Sequence, residues 1–155
     1  MTAARRSAAD FVPHRPPMLC LDEVGADTAT SVVCHVIIRP DFIFLDDGIV
    51  RPVAMIELVA QACAVHLGLQ ARREGKPPRI GMLVACREAD FLAAALAVGD
   101  ELTVTVDRVF DEPEVTAFRG TVARGGAVIG RVSLSVVDGE LALAALARAG
   151  GDSGP

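Results

Sequence analysis

The feature that most constrains the fold is a very apolar helix predicted near the middle of the chain. Residues 54–69 contain no proline and are rich in Ala, Leu, Met, Gln and Glu, which favours a helix, and Pro52 suits its first turn. Only Glu57, Gln61 and His66 are polar within it. A helix that is apolar almost all round must be buried on most sides. The rest of the chain therefore has to wrap it.

Strand patterns lie on both sides of this helix. Apolar or alternating runs predict two strands before it and four after it, at 18–24, 32–38, 80–86, 102–106, 115–123 and 128–137. Turn signals fall at 25–27, 46–48, 99–100, 111–113 and 125–126. Short loops between the last three strands favour antiparallel pairing. We therefore predict an α+β chain with the hot-dog fold, in which a curved antiparallel β-sheet wraps one long central helix.

Length and charge limit the organisation of the chain and its partners. The 155 residues suffice for one core, 52% of them are hydrophobic, and the formal net charge is -5. This charge gives no general attraction to nucleic acid or to an anionic membrane, and no apolar run reaches the roughly 18 residues of a membrane span. Residues 1–10 lack the apolar core of a signal peptide, so we expect a cytoplasmic protein. We expect a flexible N-terminus at 1–10, a single domain at 11–139 and a flexible tail at 140–155.

The cysteines do not indicate a metal centre. Cys20, Cys34, Cys63 and Cys86 are widely separated, and no Cys-x-x-Cys pair occurs. Structural zinc sites need clustered ligands, and disulfide frameworks need an oxidising compartment. We therefore predict buried free thiols, no metal and no cofactor.

Three motifs resemble those of bacterial 3-hydroxyacyl-carrier-protein dehydratases. Pro-His-Arg, a second proline, an apolar run and Asp-x-Val occupy residues 11–24. Residues 57–61 read Glu-x-x-Ala-Gln, as in the central helix of that family, and residues 99–102 read Gly-Asp-x-Leu. The similarity extends from about Phe11 to Val137. It is greatest to the dehydratase-like proteins of aryl-polyene-type gene clusters.

The resemblance implies a lyase that removes water from 3-hydroxyacyl thioesters on acyl carrier protein. The product is the trans-2-enoyl thioester of fatty-acid or polyene-type synthesis, and the enzyme is a homodimer or higher oligomer. In the family, a base removes a C2 proton while an acid protonates the departing hydroxyl, and the acyl chain lies in an apolar tunnel beside the helix. No cofactor takes part in this elimination.

The same resemblance assigns residues to the site. Glu57 occupies the catalytic carboxylate position, and we expect desolvation to raise its pKa. Gln61 lies four residues later on the same helix face and is expected to hydrogen-bond Glu57 or the substrate. The start of the helix, at Pro52, Val53 and Ala54, is expected to bind substrate, because N–H groups there stabilise the charge on the thioester oxygen.

One feature of the family is missing. Its catalytic histidine lies in a Gly-His-Phe-Pro-Gly loop before the helix, but residues 41–52 of this chain contain no histidine. Either His14 reaches the site from the Pro-His-Arg motif, or an aspartate substitutes, or the dehydration chemistry is absent. His14 is our candidate, with a structural histidine at a turn as the alternative.

Other interpretations remain open beside this one. The chain could be a hot-dog acyl thioesterase, in which one helix carboxylate activates water, or a non-catalytic subunit that binds acyl carrier protein and completes a heterodimer. Glu57 could instead pair with Arg51 or Arg87. We expect His35 and His66 to be structural, and Asp46, like its neighbour in the 46–48 turn, to be a turn residue.

Overall fold

The computed structural model describes residues 4–78 and 80–151. The predicted order of two strands, a long helix and four strands is present there, with four short strands and a second helix added. The strands are β1 (Arg6–Ser7), β2 (Glu23–Asp27), β3 (Ser31–Ile37), β4 (Leu45–Asp46), β5 (Ile49–Val50), β6 (Gly81–Phe91), β7 (Leu96–Ala97), β8 (Glu101–Asp111), β9 (Val115–Arg124) and β10 (Ala127–Asp138). The helices are α1 (Ala54–Arg73) and α2 (Gly139–Gly150), with a 3-10 turn at Ala8–Asp10.

Seven strands form the main sheet in the order β1-β2-β3-β8-β9-β10-β6, and every neighbouring pair is antiparallel. The short strands β4, β5 and β7 form a second sheet. α1 packs against β3, β6, β8, β9 and β10, so the main sheet wraps the helix. β6 is the last strand of the main sheet, and its outer edge pairs with no strand in the described part of the chain.

The core lies between α1 and the concave face of the sheet. Six helix residues are fully buried there: Met55, Leu58, Val59, Ala62, Cys63 and Val65. By length and composition alone α1 could also span a membrane, but 67% of its most apolar window is buried inside the structure. Burial of this extent is typical of a core helix, and it accounts for the apolar composition of the segment.

The first predicted strand is displaced towards the C-terminus. Residues 18–22 do not form a strand, because Met18 and Cys20 hydrogen-bond the side chain of Gln61 instead of a neighbouring strand. Residues 25–27, which were predicted to turn, continue β2 through a register shift between Val24 and Asp27. The turn follows at residues 28–31, where the Thr28 N–H donates to the Ser31 carbonyl at 2.8 Å.

Helix α2 replaces most of the predicted C-terminal tail. It begins because the Asp138 carboxylate caps it, accepting from the N–H groups of Glu140 at 2.9 Å and Leu141 at 3.3 Å. At the other end of the chain, β1 pairs with β2, although 1–10 was expected to be flexible. Residues 1–3 and 152–155 lie outside the described residues, and the division into one domain stays a prediction.

The Gly-Asp motif has a structural role at the start of β8. The Asp100 carboxylate accepts from the Ala97 N–H at 2.9 Å and from Arg124 at 2.8 Å. The Asp100 carbonyl accepts from the Ile38 N–H, and the Gly99 N–H donates to the Ile38 carbonyl. The motif thus ties the end of β3 to the turn before β8.

Candidate active site

The N-terminal segment that carries the Pro-His-Arg motif lies across α1. It can approach closely because Gly68 has no side chain: a Cβ there would lie 2.1 Å from the Phe11 carbonyl oxygen. The Arg72 guanidinium then covers the Phe11 ring, with 4.8 Å between its central carbon and the ring centroid. Gly68 and Phe11 therefore fix where the motif crosses the helix.

The arginine of the motif holds its own segment in shape. Arg15 donates from Nη1 to the carbonyls of Val12 at 2.9 Å and His14 at 2.7 Å. Its own carbonyl accepts from the N–H groups of Met18 and Leu19. These contacts make the segment compact, and they hold His14 beside the helix.

Every polar atom of the Gln61 side chain is hydrogen-bonded, and two of its three bonds join the N-terminal segment to the helix. The residue is 1% exposed. Its Oε1 accepts from the Cys20 N–H at 2.9 Å, and its Nε2 donates to the Met18 carbonyl and to Glu57 Oε1, both at 2.8 Å. The predicted contact with Glu57 is therefore present. Because both amide hydrogens are used, Gln61 acts as a positioning residue, and it could donate to a substrate only by breaking one of these bonds.

Glu57 is half-buried and forms neither of the ion pairs considered from the sequence. Arg51 pairs with Asp46 at 3.6 Å, and Arg87 donates to the Ser135 hydroxyl at 3.2 Å. Among the described residues, Gln61 is the only hydrogen-bond partner of Glu57. One oxygen of the carboxylate is thus held in place, while the other has no protein partner in that part of the chain.

Glu57 borders two cavities, one on each side. The first, which we call the entrance cavity, has a volume of about 560 Å³ and lies at the start of α1; its lining residues are Phe44, Asp46, Arg51, Val53, Ala54, Ile56 and Glu57. The second, the inner cavity, measures about 150 Å³ and runs along the helix; it is lined by His14, Glu57, Ala60, Gln61, Ala64, Leu67, Gly81, Leu83 and Val136. The Glu57 carboxylate therefore lies where the two cavities approach each other.

His14 shares the inner cavity with Glu57, although the two residues are far apart in sequence. Its Nδ1 is buried and has no hydrogen-bond partner among the described residues. A buried nitrogen without a partner costs about 1–3 kcal/mol, which a bound group that hydrogen-bonds it would recover. The structure thus brings together the two residues assigned to catalysis.

The start of α1 has fewer free backbone N–H donors than the sequence suggested. Pro52 has no N–H and does not line the entrance cavity. Ala54 does line it, but its N–H donates to the Arg51 carbonyl at 3.1 Å. The Val53 N–H makes no hydrogen bond within the described residues and is the remaining donor at this end of the helix.

Apolar side chains occupy the segment in which the family has its catalytic histidine. Phe42 and Phe44 meet edge to face with ring centroids 6.0 Å apart, and Phe44 lines the entrance cavity. Asp46 lines it too, with its side chain 72% exposed; the sequence favoured a turn residue here and left open an aspartate in place of the histidine. The signal that could have identified Phe44 and Asp46 was their place in the loop that corresponds to the histidine loop of the family.

The cysteines do not supply a nucleophile to this site. Cys20, Cys34 and Cys63 are buried and free, as predicted, whereas Cys86 is exposed. Burial, with the nearby Glu57 charge, raises the pKa of the Cys20 thiol to about 11. Burial likewise raises the pKa of Cys34 to about 12. Within residues 4–78 and 80–151, no three His, Cys, Asp or Glu side chains come together as a group that could hold a metal ion.

The other histidines lie away from the site. His66 is 1% exposed and packs edge to face on Phe118, with ring centroids 5.5 Å apart. Burial, with the nearby Arg108 charge, lowers its pKa below 6.5. His35 lies on β3, where its backbone pairs with β2 and β8 and the residue is exposed. Neither residue lines the entrance or the inner cavity.

A long buried helix wrapped by an antiparallel sheet defines a protein of the hot-dog class, and Glu57, which lines two cavities, marks its candidate active site. The family model of ApeP-like proteins, described as ApeP dehydratase, matches residues 6–147. The chain therefore belongs to the ApeP-like dehydratase family. The resemblance seen in the motifs is thereby confirmed.

Individual relatives agree with this membership. The chain is 29% identical over 139 residues to the 3-hydroxyacyl-[acyl-carrier-protein] dehydratase FabZ of Bacillus pumilus (strain SAFR-032), covering 86% of this chain and 85% of that protein. It is similar in structure to a chain of the dehydratase heterocomplex ApeI:P from Xenorhabdus doucetiae, with a TM-score of 0.81, 24% identity, and coverage of 85% and 90% of the two chains.

More distant structures share the fold alone. A hypothetical thioesterase with coenzyme A from Streptococcus pneumoniae TIGR4 matches with a TM-score of 0.60 and 12% identity, over 75% of this chain and 84% of that one. The hot-dog fold predicted from the sequence is thus confirmed.

Proposed function

We propose that this chain dehydrates 3-hydroxyacyl thioesters carried on acyl carrier protein, in fatty-acid or polyene-type synthesis. The observation that carries the proposal is the position of Glu57 between the entrance cavity and the inner cavity, with His14 facing the latter. Family membership and the FabZ relative support the same reaction. The buried and unpartnered Nδ1 of His14 supports its direct role.

The reaction needs two groups that exchange protons with the substrate. As the C2–H and C3–O bonds break, C2 and C3 form a double bond and water leaves. In our proposal Glu57 and His14 divide this work, one taking the C2 proton and the other protonating the hydroxyl. A proton exchange with solvent then restores both groups, and no electrons leave the substrate, so the step needs no redox cofactor.

The thioester oxygen gains negative charge as the C2 proton leaves. We place this oxygen near the Val53 N–H, at the positive end of the α1 dipole. Val53 lines the entrance cavity, as does Arg51, whose side chain is 75% exposed. Arg51 pairs there with Asp46 at 3.6 Å, so both charged side chains stand at the mouth through which a thioester would enter. Gln61 acts as a positioning residue in this scheme.

The outer edge of β6 is the surface we propose for a second copy of the chain. An unpaired edge strand is a template for pairing with another strand. β6 carries the exposed apolar residues Leu83 and Val84, at 44% and 55% exposure, and Leu83 also lines the inner cavity. Pairing of two β6 strands would give the cytoplasmic homodimer predicted from the sequence and would cover this side of the cavity.

A second candidate is the subunit of a heterodimeric dehydratase. It is favoured by the missing loop histidine, whose segment carries Phe44 here. In that case the partner would add catalytic groups to the Glu57 site, and β6 would pair with a different chain.

The purified protein can be tested with a 3-hydroxyacyl chain on acyl carrier protein, following enoyl formation and thiol release together. We expect enoyl product, and a loss of about 10²–10⁴-fold in its rate for Glu57→Gln and for His14→Gln, the range typical of general acid–base groups. Glu101→Gln and His35→Gln are matched controls at exposed positions, and should keep the activity of the unmodified protein.

The other outcomes point to the rival functions. Thiol release without enoyl product would indicate a thioesterase. Carrier binding with neither product would indicate the partner subunit. If activity survives His14→Gln but is lost in Asp46→Asn, Asp46 and not His14 exchanges the second proton with the substrate.

A further inference from the structure

We propose that Leu67, together with Gly81 and Val136, closes the acyl-chain channel and sets the longest chain that the protein accepts. The identification of the occupant as an acyl chain rests on the proposed function. The position of the closure rests on the walls of two cavities.

The inner cavity has a floor of small side chains on α1. Ala60 and Ala64 follow Glu57 on the same helix face, and Leu67 is the first large apolar side chain beyond them. From Glu57 to Leu67 the helix advances about 15 Å. This stretch is a groove that an extended chain can follow from the carboxylate.

Another cavity begins where this groove ends. It measures about 430 Å³ and lies at the C-terminal end of α1. Leu67, Gly81 and Val136 line both this distal cavity and the inner cavity, and they are the residues common to the two. They therefore form the partition between the cavities.

Gly81 leaves only narrow clearance in this partition. A Cβ at this position would lie 2.7 Å from Val136 Cγ1 and 3.4 Å from Leu67 Cδ1. One added methyl group would therefore press on both neighbours. By the same geometry, shortening Leu67 would join the inner cavity to the distal cavity.

The distal cavity receives a chain over a limited distance. Its lining is apolar at Ala71, Ile80 and Val137, but it also contains carboxylates such as those of Glu112 and Glu114. Carboxylates disfavour contact with alkyl groups, because they would lose water. Removal of the partition should thus admit a few more methylenes rather than a chain of any length.

These dimensions predict where chain length stops contributing to binding. An extended chain advances roughly 1.2 Å per bond, so a chain with its reacting carbons at Glu57 meets Leu67 after about twelve further carbons. Up to that length, each buried methylene should tighten binding about fourfold. Longer chains should gain nothing further.

S-alkyl pantetheines of increasing chain length test this directly, because a thioether cannot react and binding is measured by calorimetry without catalysis. The unmodified protein should show tighter binding up to the limit and then a plateau. In Leu67→Ala the plateau should move to longer chains, and in Gly81→Ala to shorter ones. Val136→Ala gives a second variant that opens the partition, and thermal unfolding confirms that each variant is folded.

Two leucine controls separate the partition from a general loss of apolar surface. Leu83 lines the inner cavity but not the distal one, so Leu83→Ala should weaken binding at all lengths without moving the plateau. Leu92 is 59% exposed and lines neither cavity, so Leu92→Ala should change nothing.

The proposal is overturned if folded Leu67→Ala and Val136→Ala keep the plateau of the unmodified protein, or if no S-alkyl pantetheine binds. If enoyl product forms but the plateau does not move in the variants, the proposed dehydratase function stands and the proposed partition is rejected. If the plateau moves but no enoyl product forms, the partition stands and the dehydratase function is rejected. The two failures are therefore distinguishable.

Discussion

Gln61 and His66 lie on the same helix, and each is 1% exposed, yet their polar atoms are in opposite situations. Gln61 makes three hydrogen bonds, to Cys20, Met18 and Glu57. Neither ring nitrogen of His66 has a hydrogen-bond partner among the described residues. The contrast shows that the buried polar residues of α1 do not serve one common purpose.

The difference follows the two faces of α1. The site face consists of the residues that line the inner cavity: Glu57, Ala60, Gln61, Ala64 and Leu67. The core face consists of the buried residues that contact the main sheet, among them Met55, Leu58, Val59, Ala62 and His66. Substitutions on the site face should alter activity, whereas those on the core face should alter stability alone.

The largest effect on stability is expected on the core face, for Leu58→Ala. Leu58 is 0% exposed, and truncation of such a residue leaves a cavity and costs about 2–5 kcal/mol. The free energy of unfolding can be measured with urea, while the enoyl-forming rate per folded molecule should stay unchanged. A fall in that rate in the folded variant would contradict the separation of the two faces.

A somewhat smaller loss of stability, accompanied by a loss of activity, is expected for Gln61→Leu. Leucine leaves the buried Cys20 N–H unpaired, which costs about 1–3 kcal/mol, whereas the Met18 carbonyl still accepts from the Cys20 thiol at 3.4 Å. It also frees Glu57 and the segment that carries His14. Enoyl formation should therefore fall in the folded variant, which distinguishes it from Leu58→Ala. Unchanged activity would show that Gln61 only stabilises the fold.

Glu57 and Gln61 show how much of the candidate site could be predicted from the sequence. The burial of α1 and the position of Glu57 were predictable, because helix periodicity and a short motif are local properties of the chain. The role of Gln61 was not, because its partners at Met18 and Cys20 lie in a segment that was predicted to be a strand. Residues 18–22 do not form a strand, because the Gln61 side chain hydrogen-bonds the backbone at Met18 and Cys20. No local sequence pattern predicts these long-range bonds.

The cavities set a similar limit on prediction. His14 could be suggested as a candidate from the Pro-His-Arg motif, but the cavity it shares with Glu57 depends on Gly68 admitting Phe11 to the helix. The partition at Leu67 depends on residues from α1, β6 and β10. Helix α2 was not predicted, because its Asp138 cap is also the last residue of β10 and its leucines are largely exposed.

The core face should also make stability depend on pH through His66. Burial first, and then the Arg108 charge, lower its pKa in the folded state, while Asp111 acts in the opposite direction. The unfolded chain therefore binds more protons once the pH falls below about 6.5, and stability is lost from there downwards, by at most about 1.4 kcal/mol per pH unit. His66→Leu should reduce this slope, whereas His35→Gln, at an exposed position, should not. Equal slopes in all three proteins would exclude His66 as the source.

The smallest expected change in the free energy of unfolding gives the most direct comparison of the two faces of α1. Above pH 7 His66 is neutral, and its unpaired nitrogens still oppose folding, so His66→Leu should raise the free energy of unfolding by about 1 kcal/mol. Gln61→Leu introduces the same amino acid and should lower it, although both positions are 1% exposed. Urea unfolding at pH 8 measures both signs under one condition. A loss of stability in His66→Leu would contradict this prediction. The edge-to-face contact of the His66 ring with Phe118 would then stabilise the fold by more than the unpaired nitrogens destabilise it.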